Sequence, residues 1–402
     1  MRAMFKPVAM ATVMVAGLLA AGAASAQIAV GGGATLPEVL YDQILPSGVG
    51  NLNYSYTGTG SGGGKTAFIN NNATAFKNES VTGTPAWGAS QSVHFAGSDS
   101  ALSTTELANY NSAHLSAWGR LIQIPFAGTA VLVPFKRTGV TALNLTNAQM
   151  CAIYGNKTGG QTWGQVLGTS DTTPVSVAYR GESSGTTELL ARYLVAACNP
   201  SGSNFAVSST FTAVVAGEVG TIPANWQSVT GSSGMAAAMA VDGRIGYLSP
   251  DSVYNPGATT LISKINGFLP VDTSIRAALA TQALPTAGTT AANNPLSWVP
   301  PYVLSSTQYP IFGTTNLIVN QCYKDPVITQ RIKDVVTNLT GTAYDAAITA
   351  HQMVNLPAPL PLPNPGGNNW KQKIVDSFLT STSSLAIGNP NVCNTVGRPL
   401  TN

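Results

Sequence analysis

The chain has 402 residues, and only 9% of them are charged, with 19 lysines and arginines against 16 aspartates and glutamates. This weak and nearly balanced charge excludes the polybasic surface that nucleic acids or anionic membranes require. Any anionic ligand must therefore be held by a local site, and a chain of this length predicts two domains rather than one.

The first 26 residues have the pattern of a secretory signal peptide. Arg2 and Lys6 form a short basic region, and an apolar run at positions 8–21 follows. The run is short for a membrane span, and it leads into the small-residue cleavage pattern ASA. We therefore expect residues 1–26 to be removed, and the rest of the chain to be periplasmic or secreted without membrane insertion.

Short runs of apolar and β-branched residues alternate with helical patterns along the rest of the chain. The strand candidates are residues 121–126, 130–135, 174–179, 244–249 and 316–320. Three sequences fit capping boxes at helix starts, and they are Thr35-x-x-Glu38, Ser103-x-x-Glu106 and Thr146-x-x-Gln149. Together these patterns predict an α/β fold with largely parallel sheets.

Two glycine-rich turns lead into helices near the start of the mature chain. The first, GGGATLP, leads to a helix start at Thr35, where free N–H groups such as that of Leu36 can face an anion. The second, GTGSGGGKT, ends like a Walker A loop but has Thr59 where that motif has glycine. We interpret it as a turn that offers backbone N–H groups and the Ser61 hydroxyl. An ordinary capped helix and a flexible loop are the alternatives.

Two further segments place charged side chains where predicted strands end. FAGSDSALS carries Asp99 after an apolar pattern, where a helix cap or turn residue is the alternative. YRGESSGTTEL carries Arg180 after the 174–179 strand, followed by a helix start near Gly185. Ligands of open α/β sheets bind at the C-terminal ends of strands, and arginine can hold a phosphate through two N–H donors. Glu182 can orient Arg180, unless that arginine lies on a surface turn.

The same segment contains GESSG, which fits the G-x-S-x-G turn of a serine esterase around Ser183. The esterase order requires a histidine after the serine, but His94 and His114 precede it. Only His351 follows, in a helix-like segment without glycine. We therefore favour Ser184 as a hydrogen-bond donor over Ser183 as a nucleophile. No paired carboxylates or metal-ligand clusters stand out, so the sequence predicts no catalytic residue, metal or cofactor.

The four cysteines are expected to form disulfides. None lies in a C-x-x-C pair, which weakens a zinc interpretation. An even count in an exported chain indicates bridges, with reduced buried thiols as the alternative. Closeness in sequence favours Cys151–Cys198 and Cys322–Cys393. Each bridge would stabilise the fold by about 4 kcal/mol in the chain-entropy model.

The chain resembles the periplasmic phosphate-binding proteins of ABC importers, and most of all their DING subgroup. The matching segments are, in order, GGGATLP, GTGSGGGK, AGSDSALS, YRGESSGTTEL, YPIFGTTNLIVNQCY and LAIGNPNVCNTVGRP. The tetrapeptide QIAV stands where the subgroup has its namesake sequence. The resemblance covers nearly the whole mature chain. It implies inorganic phosphate as the ligand and a membrane ABC permease as the partner.

The resemblance also implies a type II-like periplasmic binding protein fold. Such a fold has two α/β domains, a hinge of two crossing strands and a ligand cleft between the domains. The crossings would fall near residues 123–127 and 309–315. Domain I would then comprise residues 27–125 plus 310–402, and domain II residues 126–309. Under this division each predicted disulfide lies within a single domain.

A phosphate site follows from the resemblance, residue by residue. Phosphate near neutral pH keeps a proton that sulfate lacks, so Asp99 can accept a hydrogen bond from phosphate and reject sulfate. Arg180 would grip two phosphate oxygens beside Glu182, where other members have aspartate. The implied ligand residues are Thr35, Leu36, Ser61, Asp99, Arg180, Ser184, Gly185 and Thr186. The alternatives are a secreted phosphatase on the same fold, and a surface or extracellular interaction protein.

Overall fold

The computed structural model describes residues 27–45, 53–250, 261–357 and 369–401. The predicted signal peptide lies outside these ranges. Within them, strands and helices alternate around one six-stranded sheet, one five-stranded sheet and one two-stranded pair. The predicted α/β class is confirmed. No helix of the described ranges has the length and apolar character needed to cross a membrane.

The elements of the described chain are short, and most strands are followed by a helix. The strands are β1 (Ala29–Gly33), β2 (Tyr54–Gly58), β3 (Phe95–Ser98), β4 (Leu121–Ala130), β5 (Pro134–Lys136), β6 (Asn144–Leu145), β7 (Ser176–Arg180), β8 (Gln227–Val229), β9 (Arg244–Ile245), β10 (Leu261–Ile262), β11 (Lys264–Ile265), β12 (Phe312–Asn320) and β13 (Val354–Asn355). The helices are α1 (Glu38–Ile44), α2 (Ser61–Ile69), α3 (Thr104–Trp118), α4 (Asn147–Tyr154), α5 (Trp163–Leu167), α6 (Gly185–Cys198), α7 (Phe211–Val219), α8 (Gly231–Ala238), α9 (Asp272–Ala280), α10 (Pro326–Thr340), α11 (Asp345–Ala350), α12 (Trp370–Ile374) and α13 (Pro390–Cys393).

The six-stranded sheet has the order β13-β4-β12-β3-β1-β2. Strand β1 runs parallel to β2 and β3, whereas β12 runs antiparallel to both β3 and β4. The five-stranded sheet, β10-β5-β9-β7-β8, is built from the chain between β4 and β12. The chain therefore leaves the first sheet through β4 and returns to it through β12. We call the parts built on the six-stranded and five-stranded sheets the first and second lobes.

The prediction of largely parallel sheets is wrong for part of each of the two larger sheets. Strand β7 pairs in parallel with β8 and β9, but β5 pairs antiparallel with β9 and β10. Of the site strands, β1 pairs in parallel with β2 and β3, as β7 does with β8 and β9, but β3 also pairs antiparallel with β12. Antiparallel pairing follows because β12 re-enters the first sheet from the second lobe rather than through a crossover helix.

The predicted strands coincide only in part with the observed ones. The 121–126 candidate extends to Ala130 as β4, which is buried along its whole length. The 130–135 candidate is divided, since β5 begins only at Pro134. The 244–249 candidate is a strand over two residues, after which a single bridge joins Leu132 to Leu248. The 130–135 and 244–249 runs are largely buried, but only part of each forms a regular strand.

Two of the three predicted capping boxes are present, at Ser103 and Thr146. The third is wrong: α1 begins at Glu38, and Pro37 precedes it without a side-chain cap. The Glu38 carboxylate instead accepts the N–H of Gly58 at 2.7 Å. The Thr35 hydroxyl contacts the second lobe, as described below, so a non-local partner replaces the local cap.

Both predicted disulfides are present and all four cysteines are used. Cys151 in α4 is bonded to Cys198 at the end of α6, with 5.6 Å between their Cα atoms. Cys322, directly after β12, is bonded to Cys393 in α13, with 5.3 Å between their Cα atoms. The first bridge therefore ties together two helices of the second lobe, and the second fastens the C-terminal segment to the first lobe.

Candidate functional site

Strands β1, β2 and β3 of the first lobe and β7 of the second end close together, and each is followed by one of the four predicted segments. Hydrogen bonds join these segments directly. Ser61 Oγ accepts the backbone N–H groups of Asp99 (3.0 Å) and Gly185 (3.2 Å). Arg180 Nη2 donates to Thr35 Oγ1 at 3.3 Å, although 145 positions separate these residues. The structure thus brings all four segments together between the lobes.

Arg180 is the buried cation of this site, with only 3% of its surface exposed. Its Nε donates to Glu182 Oε1 at 2.5 Å, and Nη2 forms an ion pair with the same oxygen. Glu182 Oε1 also accepts the N–H of Gly231 at 3.0 Å, which fixes the carboxylate in turn. Because a buried charge requires a partner, Glu182 holds the guanidinium in place, as its position in the sequence predicts.

Asp99 is the buried anion opposite Arg180. Burial raises the pKa of its carboxyl group from 3.8 to about 7, while the Thr315 hydroxyl and the positive charge of Arg180 act in the opposite direction. The Thr315 hydroxyl lies near enough to affect the pKa, yet neither Asp99 Oδ1 nor Thr315 Oγ1 makes a well-formed hydrogen bond. A buried carboxylate oxygen without a partner is costly, so this group is prepared to accept a donor from a ligand.

The N-terminus of α6 completes the site. Ser184 is its N-cap, and Ser184 Oγ accepts the N–H of Thr187 at 3.4 Å. Ser184 therefore keeps its own hydroxyl hydrogen for a ligand, as does Ser61, which accepts two N–H groups. The Thr186 hydroxyl shares a 2.6 Å hydrogen bond with that of Ser249. The helix dipole makes this end of the 14-residue helix positive, which suits an anion.

Gly185 permits a close approach between the lobes at this site. A Cβ atom at position 185 would lie 2.5 Å from both Asp99 Cβ and Ser61 Oγ. Only glycine fits, so the start of α6 can lie directly against the carboxylate. The Gly185 N–H donates to Ser61 here. The Leu36 side chain is buried in the core, so only its backbone is left to serve a ligand.

Several residues of the site were not predicted. Ser232, in the first turn of α8, shares a 3.1 Å hydrogen bond between its hydroxyl and that of Thr35. The Tyr247 hydroxyl accepts the backbone N–H of Arg180 at 2.9 Å and bonds Thr187 Oγ1 at 2.7 Å. The sequence TGSSG around Ser232 follows β8 as GESSG follows β7, and this repeated pattern after a strand could have indicated Ser232. Nothing in the sequence around Thr315 indicates a site.

The esterase arrangement is not assembled. The Ser183 hydroxyl bonds that of Ser209 at 2.8 Å, whereas His351 Nε2 bonds Gln43 Oε1 at 2.8 Å beside α1. The serine and the histidine therefore have separate surroundings. Among the residues that the structure describes, no group of three or more histidine, cysteine or acidic side chains can hold a metal ion.

Comparison with known proteins identifies the family. Residues 20–341 match the model of the PBP superfamily domain. The chain belongs to this superfamily. It is 43% identical to alkaline phosphatase L of Pseudomonas aeruginosa strain PAO1, and the match covers 94% of this chain and 95% of that protein.

Solved structures give the same answer. The chain is 39% identical, with a TM-score of 0.77, to a high-affinity periplasmic phosphate-binding protein, PfluDING, bound with phosphate; the match covers 93% of this chain and 99% of the other. It is 37% identical, also with a TM-score of 0.77, to a phosphate-binding protein from Stenotrophomonas maltophilia, over 92% and 99% of the two chains. The resemblance to DING-type phosphate-binding proteins and the two-domain binding-protein fold are confirmed.

Proposed function

We propose that this chain binds inorganic phosphate between its two lobes and delivers it, after export, to a membrane ABC permease. The observation that carries the proposal is that one site contains both the buried guanidinium of Arg180 and a buried Asp99 carboxyl oxygen without a well-formed hydrogen bond. A ligand that suits both must bear negative charge and also present a hydrogen-bond donor. Monohydrogen phosphate has both properties.

Each group has a definite role in this proposal. Arg180 supplies charge-assisted N–H donors, each worth about 1.5–3 kcal/mol. The hydroxyl groups of Thr35, Ser61, Ser184 and Thr186 and the N–H groups of Leu36 and Gly185 supply further donors. In the structure several of these groups bond one another across the cleft, as Arg180 does with Thr35. Phosphate oxygens would replace these mutual bonds. Several such bonds reach micromolar affinity, about −8 kcal/mol, after the ordering costs.

The domain division proposed from the sequence fits the sheets. Strands β1–β3, β12 and β13 fall within residues 27–125 or 310–402, and β5–β11 fall within 126–309. The proposed crossings, near 123–127 and 309–315, lie within β4 and at the start of β12. These two strands pair antiparallel from one lobe towards the other. Such a pair can act as a hinge, since small changes along both strands rotate one lobe against the other.

Export is supported by the signal-peptide pattern and by two disulfides, which persist in oxidising compartments. The proposed location is therefore the periplasm or the medium. Transfer to a permease then requires release of the ligand at a membrane protein. A phosphate-uptake assay in cells that lack this chain tests that step, and uptake equal to that of the parent cells would contradict it.

Calorimetry with phosphate and sulfate on the mature protein tests the binding proposal. We expect phosphate heats and no comparable sulfate heats near neutral pH. Arg180→Ala should abolish phosphate binding, because it removes the one buried cation of the site. Arg137→Ala is the matched control, since Arg137 lies in the second lobe and pairs with Asp171 and Asp242, not with a residue of the site. Equal or absent heats for both anions, or normal binding by Arg180→Ala, would contradict the proposal.

A second candidate function, phosphomonoester hydrolysis, is favoured by one observation. A relative with 43% identity over almost the whole chain is named alkaline phosphatase L. The same cradle can hold the phosphoryl group of an ester. Turnover of a chromogenic phosphomonoester by purified protein, lost in Arg180→Ala and kept in Arg137→Ala, would support this function. Activity that survives Arg180→Ala would assign it to a contaminant.

A further inference from the structure

The glycine-rich start of α2 lies against the turn that follows β7, where the two lobes meet. A Cβ atom at Gly62 would lie 2.0 Å from Ser183 Oγ and 2.5 Å from Ser183 Cβ. A Cβ atom at Gly60 would lie 2.5 Å from the Ser183 carbonyl oxygen. All three distances are too short for real non-bonded atoms. The two glycines therefore face one residue of the opposite lobe at a separation that no other residue type permits.

The backbone of α2 does not itself require glycine at position 62. Gly60 precedes the helix with a φ of +79°, a conformation that favours glycine, but Gly62 is not among the residues with positive φ. Alanine is the better helix former at such a position. The reason for glycine at 62 is therefore the contact with Ser183, and not the local conformation.

Ser183 is held firmly on its own lobe. Its hydroxyl bonds that of Ser209 at 2.8 Å, and the next N–H, of Ser184, donates to the Ser209 carbonyl at 2.9 Å. The contact also adjoins the proposed ligand site, since Ser61 lies between Gly60 and Gly62. Ser61 Oγ in turn accepts the N–H of Gly185. Any extra separation between Gly62 and Ser183 must therefore widen the proposed phosphate site.

We propose that Gly60, Gly62 and Ser183 form a closure contact that determines how tightly the lobes close on the ligand. Ser183 is then a positioning residue that sets affinity without contacting phosphate, which explains its place in a GESSG sequence without any catalytic role. This inference rests on the proposed phosphate-binding function, and its test is designed to separate the two.

The primary test is phosphate affinity of Gly62→Ala by calorimetry. We expect binding roughly 10-fold weaker or worse, as overpacking of a close contact implies. The thermal stability of ligand-free Gly62→Ala should not fall. Alanine favours the helix, and the new methyl group clashes with Ser183 only when the lobes are closed. Gly63→Ala is the matched control on the same helix. Its methyl group meets Thr59 of the same lobe, at 2.9 Å from Oγ1, and should change affinity by less than about 2-fold.

Adding a substitution at Ser183 to Gly62→Ala tests whether Ser183 is the residue that the new methyl group meets. Gly62→Ala combined with Ser183→Gly should regain the affinity of Ser183→Gly alone, since it removes both clashing atoms. Gly62→Ala combined with Ser183→Ala should stay weak, because the Cβ atom at 2.5 Å remains. Small-angle X-ray scattering at equal phosphate saturation should show a larger radius of gyration for Gly62→Ala than for wild type.

The outcomes separate the two proposals. Normal affinity in Gly62→Ala, or the absence of rescue by Ser183→Gly, overturns the closure contact while phosphate binding by wild type still stands. Reduced stability of ligand-free Gly62→Ala that accounts for its weaker binding also overturns it. If the wild-type protein does not bind phosphate, the proposed function is wrong, and the proposed closure contact is then wrong as well.

Discussion

The pH dependence of sulfate binding tests the role of Asp99 most directly. In an open cleft, where water reaches it, this carboxyl should keep a pKa near its ordinary 3.8, whereas burial between the closed lobes raises the pKa to about 7. Each pKa unit is worth about 1.4 kcal/mol, so enclosing the ionised carboxylate costs about 4 kcal/mol. Monohydrogen phosphate offsets this cost because its hydroxyl group donates a hydrogen bond to the Asp99 carboxylate. Sulfate has no hydroxyl group and cannot donate such a bond.

Closure on sulfate therefore requires Asp99 to take a proton from solvent. The group has a raised pKa in the closed state, so closure takes up a proton between about pH 4 and pH 7. Sulfate affinity should accordingly fall as pH rises, by about tenfold per pH unit from pH 5 to pH 7. Asp99→Asn removes this dependence. Near pH 7 the variant should bind sulfate about 10³-fold more tightly than wild type does.

Calorimetric titration of wild type and of Asp99→Asn with sulfate, from about pH 5 to pH 7, measures how sulfate affinity depends on pH. Phosphate binding serves as the internal reference, and we expect Asp99→Asn to weaken discrimination more than phosphate affinity. Asp42→Asn is a control for the loss of a carboxyl group with a raised pKa, because partial desolvation and the neighbouring carboxylates of Glu79 and Glu38 raise the Asp42 pKa to about 6 on the exposed side of α1. Wild-type sulfate affinity that does not vary with pH, or that varies equally in Asp99→Asn, would refute this account of selectivity.

Three further substitutions probe the site and its support. Gly185→Ala places a methyl group 2.5 Å from Asp99 Cβ, so calorimetry should show at least roughly tenfold weaker phosphate binding; unchanged affinity would mean that α6 does not approach the ligand. Glu182→Ala frees the guanidinium of Arg180, and we expect weaker phosphate binding at unchanged stoichiometry, whereas unchanged affinity would exclude Glu182 as an orienting residue. Removing the Cys322–Cys393 bridge with two alanines should lower the free energy of unfolding in urea by about 2–5 kcal/mol; an unchanged midpoint would show that the C-terminal segment needs no covalent tie.

Local patterns predicted the features whose causes are local. The capping boxes at Ser103 and Thr146 form because the cap and its partner lie three residues apart and need no other part of the chain. The disulfides were predicted from export and closeness in sequence. The prediction of a capping box from the sequence pattern was wrong at Thr35, although both Thr35 and Glu38 of the pattern are present. The Thr35 hydroxyl instead meets Arg180 and Ser232, which lie 145 and 197 positions away.

The candidate site shows the same limit. The sequence places Arg180, Glu182 and the start of α6 close together, directly after a predicted strand. The geometry of a strand followed by a helix is enough to predict that they line a ligand site. Thr315 lies next to Asp99 only because β12 returns from the second lobe and pairs beside β3. The order of strands in a sheet depends on the whole chain, so no local pattern near Thr315 predicts that it lies beside Asp99. Antiparallel pairing along β12 was missed for the same reason.

The arrangement of charges would make the proposed phosphate site both selective and reversible. The cation, Arg180, and its partner Glu182 belong to the second lobe, whereas the anion, Asp99, belongs to the first. Each lobe alone offers only half of what monohydrogen phosphate requires. An anion without a proton satisfies Arg180 but leaves Asp99 unpaired on closure, and so it favours the open cleft. On the proposed function, selectivity would arise at the closing step, so substitutions in the closure contact and substitutions in the site should affect affinity in a coupled way.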